Sequence, residues 1–406
     1  MKPLHKSIYR LLGTIGLMAA ITPVYAQQTT VDSALLDRIS ALEKDVADQK
    51  PGESHFMVVG LATFGYVSNK TTFTAPGAAG QITRTNSLGD ADHYELSPML
   101  LWRHSNNLLV EFEPSFDGNT IGVNWANITY FAAPGLQIHA GYFVVPFGIY
   151  NKKLAAGWID KLAGDPNGFD SPGTDFGIGV SGGFPLGDMK WGYDLSLTNG
   201  LQLLPDGELQ NAGVADNNKG KMVSGRLSLL PFSNSCLEIG VSGLHSNAGD
   251  ANSAFTSANV TMYGADLNFV KNMTPVLVNV KGQYNRIEVS RQTYPGQNGA
   301  PDYTFSNNSS AAFAQISLRP SGVENKFLKN IEIAYRYSTN ETPTGSTWGA
   351  KSHQNDFGLD YWLTWRTVLK CTYSLSHSAS TANSDQGGTL GITNVNAIYL
   401  QFSVEF

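Results

Sequence analysis

Cysteine, charge and long apolar runs are all scarce in this chain. Its 406 residues include two cysteines, Cys236 and Cys371, and only 15% of them are charged, against roughly 25% in an ordinary soluble domain. Two thiols exclude a disulfide-framed scaffold, and no GxxxxGK[ST] loop, paired CxxC or basic patch points to nucleotide, zinc or nucleic acid. The eight His residues show no metal-ligand spacing, so no cofactor is expected. No apolar run reaches the roughly 20 residues a membrane helix needs. Disorder is excluded by what is present, since 42% of the residues are hydrophobic and 11% aromatic. The 42 Gly residues follow no collagen period. With a mean hydropathy of −0.16, the chain needs surroundings that tolerate a nearly uncharged exterior.

Residues 1–26 read as a secretory signal peptide. Lys2, Lys6 and Arg10 form a basic start, an apolar stretch follows, and Val24-Tyr25-Ala26 is a small-residue cleavage site. Losing those three cations on cleavage would take the net charge from −6 to −9. Residues 27–53 then carry Leu35, Ile39, Leu42 and Val46 at heptad spacing, with Asp32 or Ser33 as N-cap and Pro51-Gly52 as terminator. This predicts a short periplasmic helix. Its seam suits a trimeric coiled coil, or a lone helix that packs on the following domain or plugs its mouth.

From residue 54 to 406 the helical period gives way to alternation. In the last segment Ile398, Leu400, Phe402, Val404 and Phe406 share one face, and Tyr399, Gln401, Ser403 and Glu405 the other. Sixteen such strands are expected, near 55–67, 92–103, 107–117, 120–133, 135–146, 174–184, 189–199, 220–230, 235–246, 258–270, 274–290, 303–319, 328–339, 352–364, 367–379 and 390–406. Alternation alone does not separate a sandwich from a membrane barrel. The connections do: short turns follow the even strands, and longer polar loops follow nearly all the odd ones. An even strand number with short turns at one end is the anatomy of an outer-membrane barrel. The fold class is therefore all-β, a sixteen-stranded antiparallel transmembrane barrel behind a short N-terminal helix, with lipid as its surroundings. By the same parity Cys236 lies on a polar face and Cys371 on an apolar one, so no disulfide joins them.

Parity also sorts the wall charges. The inward phases carry Glu95, Glu111, Glu113, Asp194, Glu238, Asp266, Glu332, Asp356 and Asp360, against Arg103, Lys190, Arg226, Lys281, Arg336 and Lys370. Acids exceed bases. The longest loop, 147–173, holds Lys152, Lys153, Asp160, Lys161, Asp165 and Asp170, expected to face water, and LAAGWIDKLAG could form a short helix with Leu154, Trp158 and Ile159 against the wall.

The terminal aromatic strand ending in Phe406, and GYFVVPFGIYNK at 141–152 with its Pro-Phe-Gly and following Tyr-Asn, resemble the general porins and the phosphate-selective porin O/P-like family. A short coiled coil ahead of the barrel is similar to several porins of Gram-negative bacteria. The resemblance implies a homotrimer that passes small hydrophilic solutes and ions. It also implies that Phe406 is read by the barrel-assembly machinery and that the third loop, 147–173, is the constriction. Phosphate-selective members would carry an Arg and Lys ladder and loop arginines. Here loop 147–173 has no Arg and its lysines are matched by acids, so a weakly cation-preferring or unselective pore is expected. Two other classes compete. An enzymatic barrel needs a nucleophile and base on one face, whereas His104-Ser105, His245-Ser246 and His377-Ser378 put neighbours on opposite faces. An adhesin or structural barrel would use the polar loops for surface recognition. Asp165, Asn167 and Asp170 hint at calcium-loop spacing, but a plain Pro166-Asn167-Gly168 turn is the better account of them.

Overall fold

The computed structural model describes residues 55–406 apart from 90–93, 118–119, 170, 217–219, 252 and 298. The proposed signal peptide and N-terminal helix lie outside the described residues. Within them the chain forms β1 (His55–Thr74), β2 (Gln81–Leu88), β3 (Tyr94–Ser105), β4 (Leu108–Phe116), β5 (Ile121–Ala133), β6 (Leu136–Val144), β7 (Thr174–Leu186), β8 (Met189–Thr198), β9 (Leu201–Leu203) and β10 (Leu209–Asn211). It continues with β11 (Met222–Leu230), β12 (Leu237–Asn247), β13 (Asn259–Met273), β14 (Val276–Val289), β15 (Asn308–Arg319), β16 (Ile331–Glu341), β17 (Ala350–Thr364), β18 (Thr367–Ser380) and β19 (Ile392–Glu405).

All but β2, β9 and β10 are staves of one closed antiparallel barrel of sixteen strands. The ring closes where β1 meets β19, from Leu61↔Glu405 to Thr74↔Ile392. Backbone bonds in both directions between Gly60 and Phe406, at 2.9 and 3.0 Å, seal that seam. Closure gives each stave a paired neighbour on both sides. The small β9–β10 hairpin stands apart in the β8–β11 connection.

Besides the β9–β10 hairpin in the expected 200–219 connection and a β15 that begins at Asn308 rather than near 303, two differences bear on the ring. Residues 68–91, expected as a loop, continue β1 to Thr74 and return as β2, so that β1 pairs with β3 along its first half and with β2 along its second. Nearly all of β2 is exposed on both faces, and a strand without a buried face shows no alternation to read. The second difference is a bulge at Glu113/Pro114 in the β4–β5 pairing. Pro114 brings no N–H to the ladder, and an extra residue on β5 absorbs the gap.

The faces invert those of a soluble protein. Ile333, Tyr335 and Tyr337 on β16, Phe357 and Leu359 on β17, and Leu369 and Tyr373 on β18 are exposed on the outside. Their inward neighbours Arg336, Ser338, Asp356, Asp360, Lys370 and Thr372 are buried. Both thiols are free, with Cys371 exposed on the outer face and Cys236 half-buried before β12.

Candidate functional site

The connection between β6 and β7 lies inside the barrel. Val145 N donates to Gly173 O at 2.9 Å, which holds the two ends of the loop together. The backbone then turns inward and spends its donors on wall side chains. Gly148 N bonds Ser242 Oγ at 2.9 Å, and Ile149 N and Tyr150 N share Gln283 Oε1 at 2.8 and 2.9 Å. Further along, Ala163 N meets Thr372 Oγ1 at 2.9 Å, and Asn167 Nδ2 meets Ser352 Oγ at 2.7 Å. Gly148 has φ +66° and lies hard against the Gln283 side chain, a place where no Cβ fits. The far tip reaches the opposite seam, where a Cβ on Gly157 would stand 3.1 Å from both Thr63 Oγ1 and Ser403 Oγ.

The expected helix is displaced and shortened. A single π-helical turn forms at Tyr150–Leu154, and 155–164 is a series of bends. The physical reason is competition: beyond the short turn closed by Ile159 N and Asp160 N on Ala156 O, the Ala163 amide and the carbonyls of Ile159, Leu162 and Gly164 bond wall side chains instead of continuing a helix. Apolar contacts fix the turn, because Ile149, Tyr150, Leu154 and Phe169 pack on Ala311 and Phe313 of β15. The Tyr150 and Phe169 rings meet Phe313 edge-on, with centroids 5.5 and 5.0 Å away. Leu154 is buried, whereas Trp158 and Ile159 are half-buried.

Most loop charges are spent on the wall instead of facing water. Lys152 Nζ lies 2.5 Å from Asp194, and Lys153 Nζ lies 2.7 Å from Glu238. Glu238 also takes Arg226 at 3.0 Å, and Arg226 grips Asp266 through two nitrogens. Asp160, expected to face water, is buried; it receives Gln315 Nε2 at 3.0 Å, Arg336 Nη1 at 3.3 Å and the Tyr150 hydroxyl at 3.3 Å. Arg336 bonds Asp356 at 2.9 Å and the Gly164 carbonyl at 2.7 Å. Lys281 and Lys370 donate to the carbonyls of Ile159 and Leu162. Lys161 stands over the Trp362 ring at 4.4 Å, and Asp165 accepts from the Tyr150 hydroxyl at 2.7 Å. Asp170 lies outside the described residues. Burial pushes the Asp160 carboxyl toward its neutral form, but Arg336, Lys281 and Lys370 outweigh it and hold its pKa below the ordinary value of 3.8.

The remaining wall charges divide. Glu332 is satisfied by Trp362 Nε1 at 2.8 Å and Ser317 Oγ at 2.5 Å. Asp360 stands between Glu332 and Lys370 in register, its oxygens without a hydrogen bond among the described residues. Arg103 caps the turn carbonyls of Ser105 and Asn106, and Lys190 reaches Ser235 Oγ at 2.7 Å, so both serve the short-turn rim. Glu95, Glu111 and Glu113 are held in the same way as Glu332. Their partners are neutral, namely Ser97 and Asn124 for Glu95, Thr129 for Glu111 and Asn124 for Glu113. Among the described residues none of the three forms an ion pair.

The sequence reading missed the neutral anchors Ser242, Gln283, Gln315 and Thr372, because polar inward residues are what any lumen displays. Phe313 did carry a signal. It shares its phase with Gln315 and Ser317, and an aromatic on a polar face implies a covering partner.

No protein-family model and no curated protein matches the chain. Among solved structures, an anion-selective porin from Comamonas acidovorans superposes with a TM-score of 0.52 at 13% identity, covering 87% of this chain and 100% of that one. The outer membrane channel DcaP of Acinetobacter baumannii gives a TM-score of 0.53 at 12% identity, over 88% and 99% of the two chains. At these identities the likeness is one of fold.

Proposed function

We propose that the chain is an outer-membrane porin through which small hydrophilic solutes and ions diffuse down their gradients. The observation that carries this is the inverted barrel, apolar outside and charged within. Lipid accommodates the outer face, whereas a Lys or Arg placed there at the midplane would cost roughly 2 to 4 kcal/mol. The 147–173 loop narrows the lumen and requires no cofactor. The functional unit is a homotrimer, a reading supported by the family resemblance; migration of the unheated protein as a monomer would refute it. Phe406 serves as the assembly signal.

The pore prefers cations weakly. Lys152, Lys153, Arg226 and Arg336 are each matched to a carboxylate, whereas among the described residues the wall acids Glu95, Glu111, Glu113, Glu332 and Asp360 form no ion pair, against the lysines Lys281 and Lys370, which donate to loop carbonyls. Unpaired charge in a narrow passage sets ion preference. Planar-bilayer recording tests both statements. The expected result is open-channel conductance with a reversal potential on the cation side, which moves to the unselective value in E95Q/E111Q/E113Q. Strong chloride or phosphate preference in the native protein would overturn the selectivity, and absence of conductance would favour a structural or adhesive barrel.

A further inference from the structure

Two histidines far apart in the sequence, with no metal-ligand spacing between them, meet on the outer wall. The β17–β18 register sets His353 directly opposite His377, with ring centroids 5.0 Å apart and ring planes tilted by 35°. Both belong to the outer phase, His353 with Phe357 and Leu359, and His377 with Tyr373 and Cys371. They stand at the long-loop end of that face. In the row between them and the apolar belt, Asn355 and Asn396 flank Leu375, so the pair lies above the lipid-type surface where water reaches it. His353 is exposed and His377 half-buried.

The hydrogen bonding prepares one of the rings. His377 Nδ1 lies 2.8 Å from Asn394 Oδ1. An amide oxygen only accepts, so Nδ1 carries the proton and Nε2 keeps its lone pair. Metal-ligating histidines are held in the same way, with the second ring nitrogen donating to a fixed acceptor. The cation two residues along this face, Lys351, is matched by Glu341 at 3.4 Å, so its charge is not left to repel an incoming ion.

We infer that His353 and His377 form a two-imidazole site for a divalent transition ion of the zinc, nickel or copper class. Imidazole nitrogen suits these ions, whereas the harder Mg²⁺ and Ca²⁺ take oxygen ligands. Two imidazoles on one tetrahedral ion, with nitrogens at roughly 2.0 to 2.1 Å, hold their ring centres about 5 Å apart. The register already sets that separation, so binding asks only for rotation of side chains at the surface, and water fills the remaining positions. The ion bridges β17 and β18 at the end where Thr381 N meets Gly349 O at 2.8 Å, and it acts as a clasp on that rim. Nothing in this inference depends on the channel reading.

The test uses the full-length, tag-free protein in detergent, stripped with a chelator, with Cys236→Ser and Cys371→Ser so that no thiol competes. It is titrated calorimetrically with Zn²⁺, Ni²⁺ or Cu²⁺ alone. The expected result is one ion per chain, tightest for Cu²⁺, that excess Mg²⁺ or Ca²⁺ does not displace. His353→Ala and His377→Ala should each weaken binding roughly 100-fold or more, and Asn394→Ala roughly tenfold. His245→Ala, which removes another exposed imidazole, should leave the affinity unchanged. Binding that survives either variant of the pair, or falls equally in His245→Ala, would overturn the site. One ion per two chains would place the metal between copies and would overturn it as well.

Discussion

Arg336 meets Asp160 of the loop and Asp356 of the wall with different edges of one guanidinium, and all three are withdrawn from water. Removing one member leaves the others charged and unpaired, which costs about 3 to 5 kcal/mol in a buried network. Arg336→Met should therefore lower the thermal unfolding midpoint of the detergent-solubilised barrel, and Arg336→Lys should not restore it, because an ammonium cannot reproduce the planar fork. Acid acts on the same contact. Asp160 has its pKa depressed in the fold, so its contribution is complete above the ordinary value of 3.8 and is lost as pH falls through the depressed folded value. The fall in unfolding midpoint caused by Arg336→Met should therefore persist from neutrality to about pH 4 and shrink only below that. The acidity of position 160 was plain in the sequence. Its burial was not, because the cations around it come from β14, β16 and β18, more than a hundred residues away.

At the level of the element, the 147–173 loop keeps its place through backbone donors as much as through charge. Gln283 Oε1 accepts two of them, so Gln283→Leu strands two amides, at about 1 to 3 kcal/mol for each buried group left unmade. Phe313→Ala removes the ring on which Tyr150 and Phe169 rest, a core truncation of about 3 to 5 kcal/mol. Both variants should assemble as barrels and yet show noisier single-channel current and faster proteolysis within 152–165; a quiet, protected loop in both would show that the ion pairs alone suffice. The loop's length and mixed charge were readable, but its secondary structure was not. LAAGWIDKLAG has helical composition, and the wall outcompeted it for hydrogen bonds. The sixteen staves were readable because lipid-type burial on one side and polar groups on the other imprint a period of two, whereas β2, exposed on both faces, left no imprint.

For the whole molecule the decisive quantity is which charges stay unpaired. Reversing Lys152 and Lys153 to Glu places like charges against Asp194 and Glu238. Reversal potentials should move further toward cation preference, and the unheated protein should lose resistance to detergent. If selectivity were unchanged, the loop would lie outside the conducting path. By itself the sequence determined an all-β barrel with its strand number, its long and short ends and the parity of each wall charge, because a two-residue period and turn spacing are local properties. Only the tertiary structure decided that Lys152, Lys153 and Asp160 of the loop meet wall charges of opposite sign and that Glu95, Glu111 and Glu113 meet neutral partners. Pairing across a barrel depends on which strands closure brings face to face, and that is written in no single segment of the chain.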